Sequence, residues 1–197
     1  MNTQTHALMG AALLGAAGDH GLTSMAILGG VLPDLPAILL VVHARWIERL
    51  EFREIFGTLY FSRRWQTILA PWHSLPLWLF ALATAFRLQS PYLVAFAASG
   101  LIHIAIDFFV HVDDAHRHVW PVSNWRFRSP VSYWDRNYFG LVFQPFELML
   151  ATTFTALLLL RATETWQSMV IGGILLGYTR RLIAFGAATA AGSSRWW

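Results

Sequence analysis

"PYLVAFAASGLIHIAIDFFVHVDDAHRH" runs from Pro91 to His118, and its reading decides the fold. The first part, Pro91–Val110, is apolar and reaches the roughly 20 residues that a membrane-spanning helix needs. Yet the same run carries His103, Asp107 and His111 at every fourth position, then Asp113, Asp114, His116 and His118. On an α-helix each step of four turns through about 400°, so the three share one face with a slow drift. Asp114 returns to nearly the same angle if the helix continues. A carboxylate at bilayer depth costs on the order of 2.5–3.5 kcal/mol, so an intramembrane Asp is functional by default. Such a stripe can present two or three ligands to one metal ion. The plain alternative is a hydrogen-bonded polar pair that ties a helix bundle together.

Composition supports the membrane reading. Of 197 residues 56% are hydrophobic and only 13% are charged, too apolar for an ordinary soluble domain. There is no cysteine, so thiolate metal sites and disulfides are excluded. A metal here would need imidazole and carboxylate ligands, which suit zinc, manganese or iron. The net charge of +3 comes entirely from arginine on the basic side. Those arginines sit in loops among Glu48, Glu51 and Glu54, which is not a nucleic-acid signature, so no nucleic-acid partner is expected. "MNTQTHALMG" lacks the basic start of a cleavable signal peptide and is expected to be retained.

Working outward, six segments read as membrane-embedded: Thr5–Gly18, Thr23–Val42, Trp65–Phe86, Pro91–Val110, Phe139–Leu160 and Thr165–Tyr178. The first is short and rich in Gly and Ala, which suits a helix packed inside a bundle. The second is broken by Pro33, Asp34 and Pro36, and Arg180–Arg181 close the sixth. The expected fold is all-α: one polytopic membrane helix bundle over residues 1–197, with one broken helix. Arginines crowd the 43–64 loop, the 113–138 loop and the tail (Arg180, Arg181, Arg195). The positive-inside rule therefore makes both loops and both termini cytoplasmic. Trp65, Trp72, Trp78, Trp120, Trp125 and Trp134 then read as an interfacial belt.

On this topology five segments place an ionisable residue at similar depth in one leaflet: His6; Asp34; His73; His103, Asp107 and His111; and Glu147. "VLPDLP" sets Asp34 at an irregular point, because Pro36 disfavours helix at the residue before it. A broken membrane helix is tolerated where it is buried in protein or lines a wet cavity. In "PWHS" Ser74 can cap the next helix or bond to a ligand. The run after His111 adds Arg117, Arg126 and Arg128, whose planar forks match phosphate oxygens. A metal beside arginines points to a phosphoester, with a lipid headgroup one candidate. Arginines facing anionic lipid are the plain alternative.

The ordered set of an early His, "LPDLP", "HS" at a helix start and HxxxD before a Trp-rich "WPVSNWRFRSP" loop resembles the YdjM-like family. These are bacterial inner-membrane proteins described as membrane-bound metal-dependent hydrolases (the DUF457 group). The resemblance covers about the first two-thirds of the chain. It implies a multi-spanning helical protein of the bacterial inner membrane, with His6, Asp34, His73, His103 and Asp107 as metal ligands. Where the family commonly has a His-rich "HRGxTHS" form, this chain has plain "PWHS". It adds "HVDDAHRH", which offers replacements. HxxxD also closes a signature of type 2 phosphatidic acid phosphatases, but the Arg and the PSGH-like segment of that class are missing.

The resulting expectation is a metal-dependent hydrolase acting at the cytoplasmic leaflet on a phosphoester or lipid-linked substrate. His6, Asp34, His73, His103, Asp107 and His111 would hold one or two divalent ions, zinc first among them. Asp114 or Glu147 would be the general base. Arg117, Arg126, Arg128 and Ser74 would bind substrate. Two rivals stand beside it: a metal-ion or proton-coupled transporter, and a non-catalytic scaffold with a structural metal.

Overall fold

The computed structural model describes residues 1–161 and 165–190. Arg195, one of the expected tail arginines, lies outside the described residues. All named elements among the described residues are helical, so the all-α expectation holds. In chain order they are α1 (Thr3–Leu14), α2 (His20–Val31), α3 (Leu35–Val42), α4 (Phe52–Glu54), α5 (Arg63–Leu69), α6 (Leu75–Arg87), α7 (Pro91–Val110), α8 (Gly140–Arg161) and α9 (Thr165–Ala190). Wide π-type turns continue α3 over His43–Ile47 and α4 over Ile55–Leu59.

Among the described residues, three helical stretches are long and apolar enough to cross a membrane: Arg63–Arg87, Pro91–Val110 and Gly140–Arg161. A fourth is counted if α2 and the α3 stretch to Ile47, bent by 63°, form one broken span. This corrects the expectation of about six. The first segment is a helix of only 12 residues, which rises about 18 Å against a hydrocarbon core of roughly 30 Å. It is instead an internal helix, with Thr5 through Ala12 all buried. The break between α2 and α3 falls at Asp34 as the prolines require, and Pro36 occupies the first turn of α3. The helix over 165–190 passes Arg180 and Arg181 without ending.

Helices embedded in lipid gain little hydrophobic energy by meeting each other, so close van der Waals packing must hold them. Small residues supply it. A Cβ on Gly29 of α2 would lie 2.0 Å from the Phe96 carbonyl oxygen of α7. On Gly100 of α7 it would lie 2.1 Å from the Trp78 ring of α6. Trp78 is therefore buried against the bundle and donates its indole N–H to the Trp72 carbonyl. Trp65 and Trp134 are buried too, whereas Trp72 and Trp125 are exposed. The belt reading thus fails for three of those tryptophans, whose rings fill protein interior.

Helix starts follow their caps. Ser90 accepts from the Leu93 amide before Pro91, and Ser74 accepts from the Leu77 amide before Pro76. The α7 helix ends at Val110, and His111 is extended at φ −118° and ψ 133°. The helical stripe expected through Asp114 therefore stops one residue before His111.

Candidate metal centre

Asp107 stands at the centre of the polar cluster. It sits in the last turn of α7 and is 1% exposed. Its Oδ1 accepts from the Met1 amino group at 2.6 Å and lies 3.0 Å from His6 Nε2. Its Oδ2 lies 3.1 Å from His103 Nε2, 3.4 Å from His111 Nε2 and 3.7 Å from His73 Nε2. Asp34 Oδ1 closes the other side, 3.6 Å from His103 Nε2 and 3.7 Å from His73 Nε2. Its Oδ2 accepts from the Thr3 hydroxyl at 2.5 Å.

Local structure explains each placement. His103 and Asp107 share the α7 face by their spacing of four. His73 ends a 3-10 turn, Ala70–His73, between α5 and α6. His6 reaches in from α1, and its ring stacks on that of His103 at 3.6 Å. His111 arrives by the extended chain after the helix rather than along it.

Two groups of ligand atoms result, each within 4.8 Å of one another: Asp34, His73, His103 and Asp107; and Asp107, His111 and His116. Asp107 belongs to both. The donor chemistry fits a divalent cation with nitrogen and oxygen ligands. So does the pattern of unanswered polar atoms. Among the described residues, His73 Nδ1 has no hydrogen-bond partner, and the Nε2 atoms of His73, His103 and His111 meet Asp107 Oδ2 at 3.1–3.7 Å without hydrogen-bond geometry. Leaving a buried polar atom unanswered costs about 1–3 kcal/mol each, so such a concentration calls for a ligand.

The opposite ring nitrogens support the same view. His103 Nδ1 lies 2.7 Å from the Gly30 carbonyl, which can only accept. That places a proton on Nδ1 and leaves Nε2 as the nitrogen facing the cluster. His111 Nδ1 lies 2.8 Å from Asp114 Oδ2, which also accepts from the Trp134 indole at 3.0 Å. This is the carboxylate–histidine pairing that orients metal ligands. Burial alone would lower the His111 pKa, but the Asp114 and Asp107 carboxylates outweigh it and hold it up at about 9, so an ion that binds His111 must displace its Nε2 proton. Burial, with His73 and His111 nearby, drives His116 well below the usual histidine range and His118 down to about 4. Neutral imidazoles of that kind are ligand-competent.

The remaining expected residues sit in a surrounding layer. Glu147, fully buried in α8, accepts from the Asn2 amide at 2.7 Å, from Asn2 Nδ2 at 2.9 Å and from Thr5 Oγ1 at 2.8 Å. It fixes the N-terminal turn that carries Met1 and His6. Ser74 donates its hydroxyl to the Trp120 carbonyl and caps α6. Arg126 donates to the Ala115 carbonyl and to Gln66 Oε1, Arg117 to Asn124, and Arg128 to Asp113.

His116 is not among the six expected ligands, although "HVDDAHRH" offers it as a replacement, and the structure brings it to Asp107 and His111. Its ring stacks on His73 at 3.5 Å. Thr3, Asn2 and Thr5 had no signal, because hydroxyls and amides are common near any helix start. A cavity of about 300 Å³ opens against the cluster, lined at that end by Thr3, Asp34, His111, Asp114 and His116. Comparison with protein-family models, curated proteins and solved structures finds no match to this chain.

Proposed function

We propose that this chain is a metal-dependent hydrolase of phosphoesters, built around two ion positions that share Asp107. The observation that carries the reading is the cavity that meets the cluster. A structural metal site is closed by its protein ligands, whereas a catalytic one keeps an open position. Here Asp34 is the cluster's more exposed carboxylate, at 19%, and it lines that cavity.

On this reading His73, His103 and Asp34 would hold one ion and His111 and His116 the other, with Asp107 belonging to both sets. Zinc suits these ligands, and the chemistry it supplies is a water nucleophile with a pKa lowered toward 7. Gly30 and Asp114 hold His103 and His111 in the tautomers that binding needs. Asp114 is thereby a positioning residue, and Glu147 positions the N-terminal turn. The motif resemblance to the YdjM-like proteins agrees with this assignment. It extends the proposal to the bacterial inner membrane, with the arginine-bearing loops and both termini on the cytoplasmic side.

The test is hydrolysis of p-nitrophenyl phosphate and of a phospholipid by detergent-purified protein, with metal content measured on the same sample. Activity and metal should vanish together in His103→Ala and return with zinc in the wild type after chelation. A fully active metal-free protein would refute the proposal.

A further inference from the structure

The arginines expected to bind phosphate do not line the cavity beside the cluster, and neither does Ser74. Arg117 donates to Asn124, Arg126 to Ala115 and Gln66, and Arg128 to Asp113. A phosphate held at the cluster still turns oxygens toward the cavity, and these call for donors. Three side-chain donors along the wall are already committed: Asn2 Nδ2 to Glu147, the Thr3 hydroxyl to Asp34 and the Trp134 indole to Asp114. The Trp46 indole lies at the far end of the α3 extension, on a side chain that is 66% exposed. Two tyrosines remain. Tyr133 packs its ring against His111 at 5.0 Å. Tyr60 gives its hydroxyl proton to no group among the described residues.

Local structure fixes the Tyr60 ring. Phe52, Phe56 and Tyr60 recur every four residues, so their rings form one ridge with centroids 6.3 and 6.2 Å apart. The wide turn over Ile55–Leu59 closes on the Tyr60 amide, which donates to the Ile55 carbonyl at 2.8 Å. Gln66 Nε2 donates to the Tyr60 carbonyl at 2.7 Å, and Phe61 meets the ring edge-on at 5.3 Å. Tyr60 is buried, and a buried tyrosine usually finds a partner for its hydroxyl. Burial, with the Asp114, Asp34 and Asp107 carboxylates nearby, raises the phenol well above its ordinary range, so it keeps its proton. Asp114 and Asp34 line the same cavity, which sets the phenol in the field of its cluster end. We propose that the Tyr60 hydroxyl donates a hydrogen bond to the substrate phosphate, the contact expected of the arginines. The proposal rests on the hydrolase reading above and names its phosphate-binding residue. A donor fixed before the substrate arrives needs no rearrangement as charge grows on the phosphate oxygens, so it acts on kcat as well as on binding.

The test uses full-length, zinc-loaded protein in detergent, titrated with inorganic phosphate by calorimetry and assayed with p-nitrophenyl phosphate. Tyr60→Phe keeps the ring and should keep the zinc content. Its phosphate affinity and kcat/KM should each fall roughly 10–100-fold, the range for a hydrogen bond to a charged group. In a second sample a ring-fluorinated tyrosine replaces Tyr60 alone. Its fluorine resonance should move when phosphate is added to the zinc form, and stay in place when phosphate is added in chelator. Equal phosphate affinity in Tyr60→Phe and wild type would overturn the proposal, as would an unmoved resonance. So would a loss seen in Tyr133→Phe or Arg128→Gln but not in Tyr60→Phe. Each of these outcomes leaves the hydrolase reading standing. Wild-type protein that takes up no zinc, or that holds zinc and binds no phosphate, would sink the hydrolase reading and the Tyr60 contact with it.

Discussion

Asp107→Asn is the most informative single change, because one carboxylate serves both ligand groups. Asparagine keeps the shape and removes the charge. In chelator the wild-type carboxylate already answers the Met1 amino group at 2.6 Å and faces His6, His103, His111 and His73. Removing one partner of a buried pair costs about 3–5 kcal/mol, and asparagine, which can still accept one hydrogen bond, belongs at the lower end. In a chain of this size about 3 kcal/mol lowers Tm by roughly 6–12 °C. Metal adds a second, separable effect. At a hundred times its Kd, an ion that binds only the folded state stabilises by about 2.7 kcal/mol, which is roughly 5–11 °C. The assay is thermal unfolding in detergent, followed by tryptophan fluorescence with chelator and then with zinc. Wild type should show the zinc shift and Asp107→Asn should not, in addition to starting lower. His43→Ala, at an exposed histidine away from the cluster, should retain the full shift. A zinc shift of equal size in Asp107→Asn and wild type would refute the shared-carboxylate reasoning.

Other outcomes follow from individual contacts. Asp114→Asn weakens the acceptor that orients His111, so zinc affinity in a competition titration should fall by about 10–100-fold with the fold intact. Glu147→Ala strands three buried donors from Asn2 and Thr5, at about 1–3 kcal/mol each. Its chelator Tm should fall well below that of Glu147→Gln, as read by the same melt. Ser74→Ala should cost about 1 kcal/mol through the lost helix cap, with metal content by elemental analysis unchanged. Gly29→Leu drives side-chain atoms into the Phe96 carbonyl. It should cost at least about 1–3 kcal/mol by overpacking, seen as a lower Tm and a broadened size-exclusion peak.

The cluster was largely legible in the sequence because lipid penalises ionisable groups wherever they are not needed. His6, Asp34, His73, His103 and Asp107 stood out against an apolar background, and the structure brings them within contact of one another. The helical spacing correctly paired His103 with Asp107. It failed at His111, because periodicity cannot show where a helix stops; the chain turns extended there and still returns the imidazole to Asp107. Hydropathy likewise cannot distinguish a spanning helix from an internal one. The α1 helix reads as one more membrane-embedded segment, but at 12 residues it is too short to span and packs in the interior, where Thr5 and His6 are fully buried. Glu147 illustrates a subtler limit. Its depth in the membrane marked it for function, but depth does not reveal which partners a carboxylate meets. The nearest donors belong to the N-terminal turn, so Glu147 acts on the cluster through Met1 and His6 rather than directly. On the proposed metal-binding reading, a carboxylate in a candidate span can therefore support the site without touching it. Loss of Glu147 then changes stability, whereas loss of Asp107 changes stability and metal affinity together.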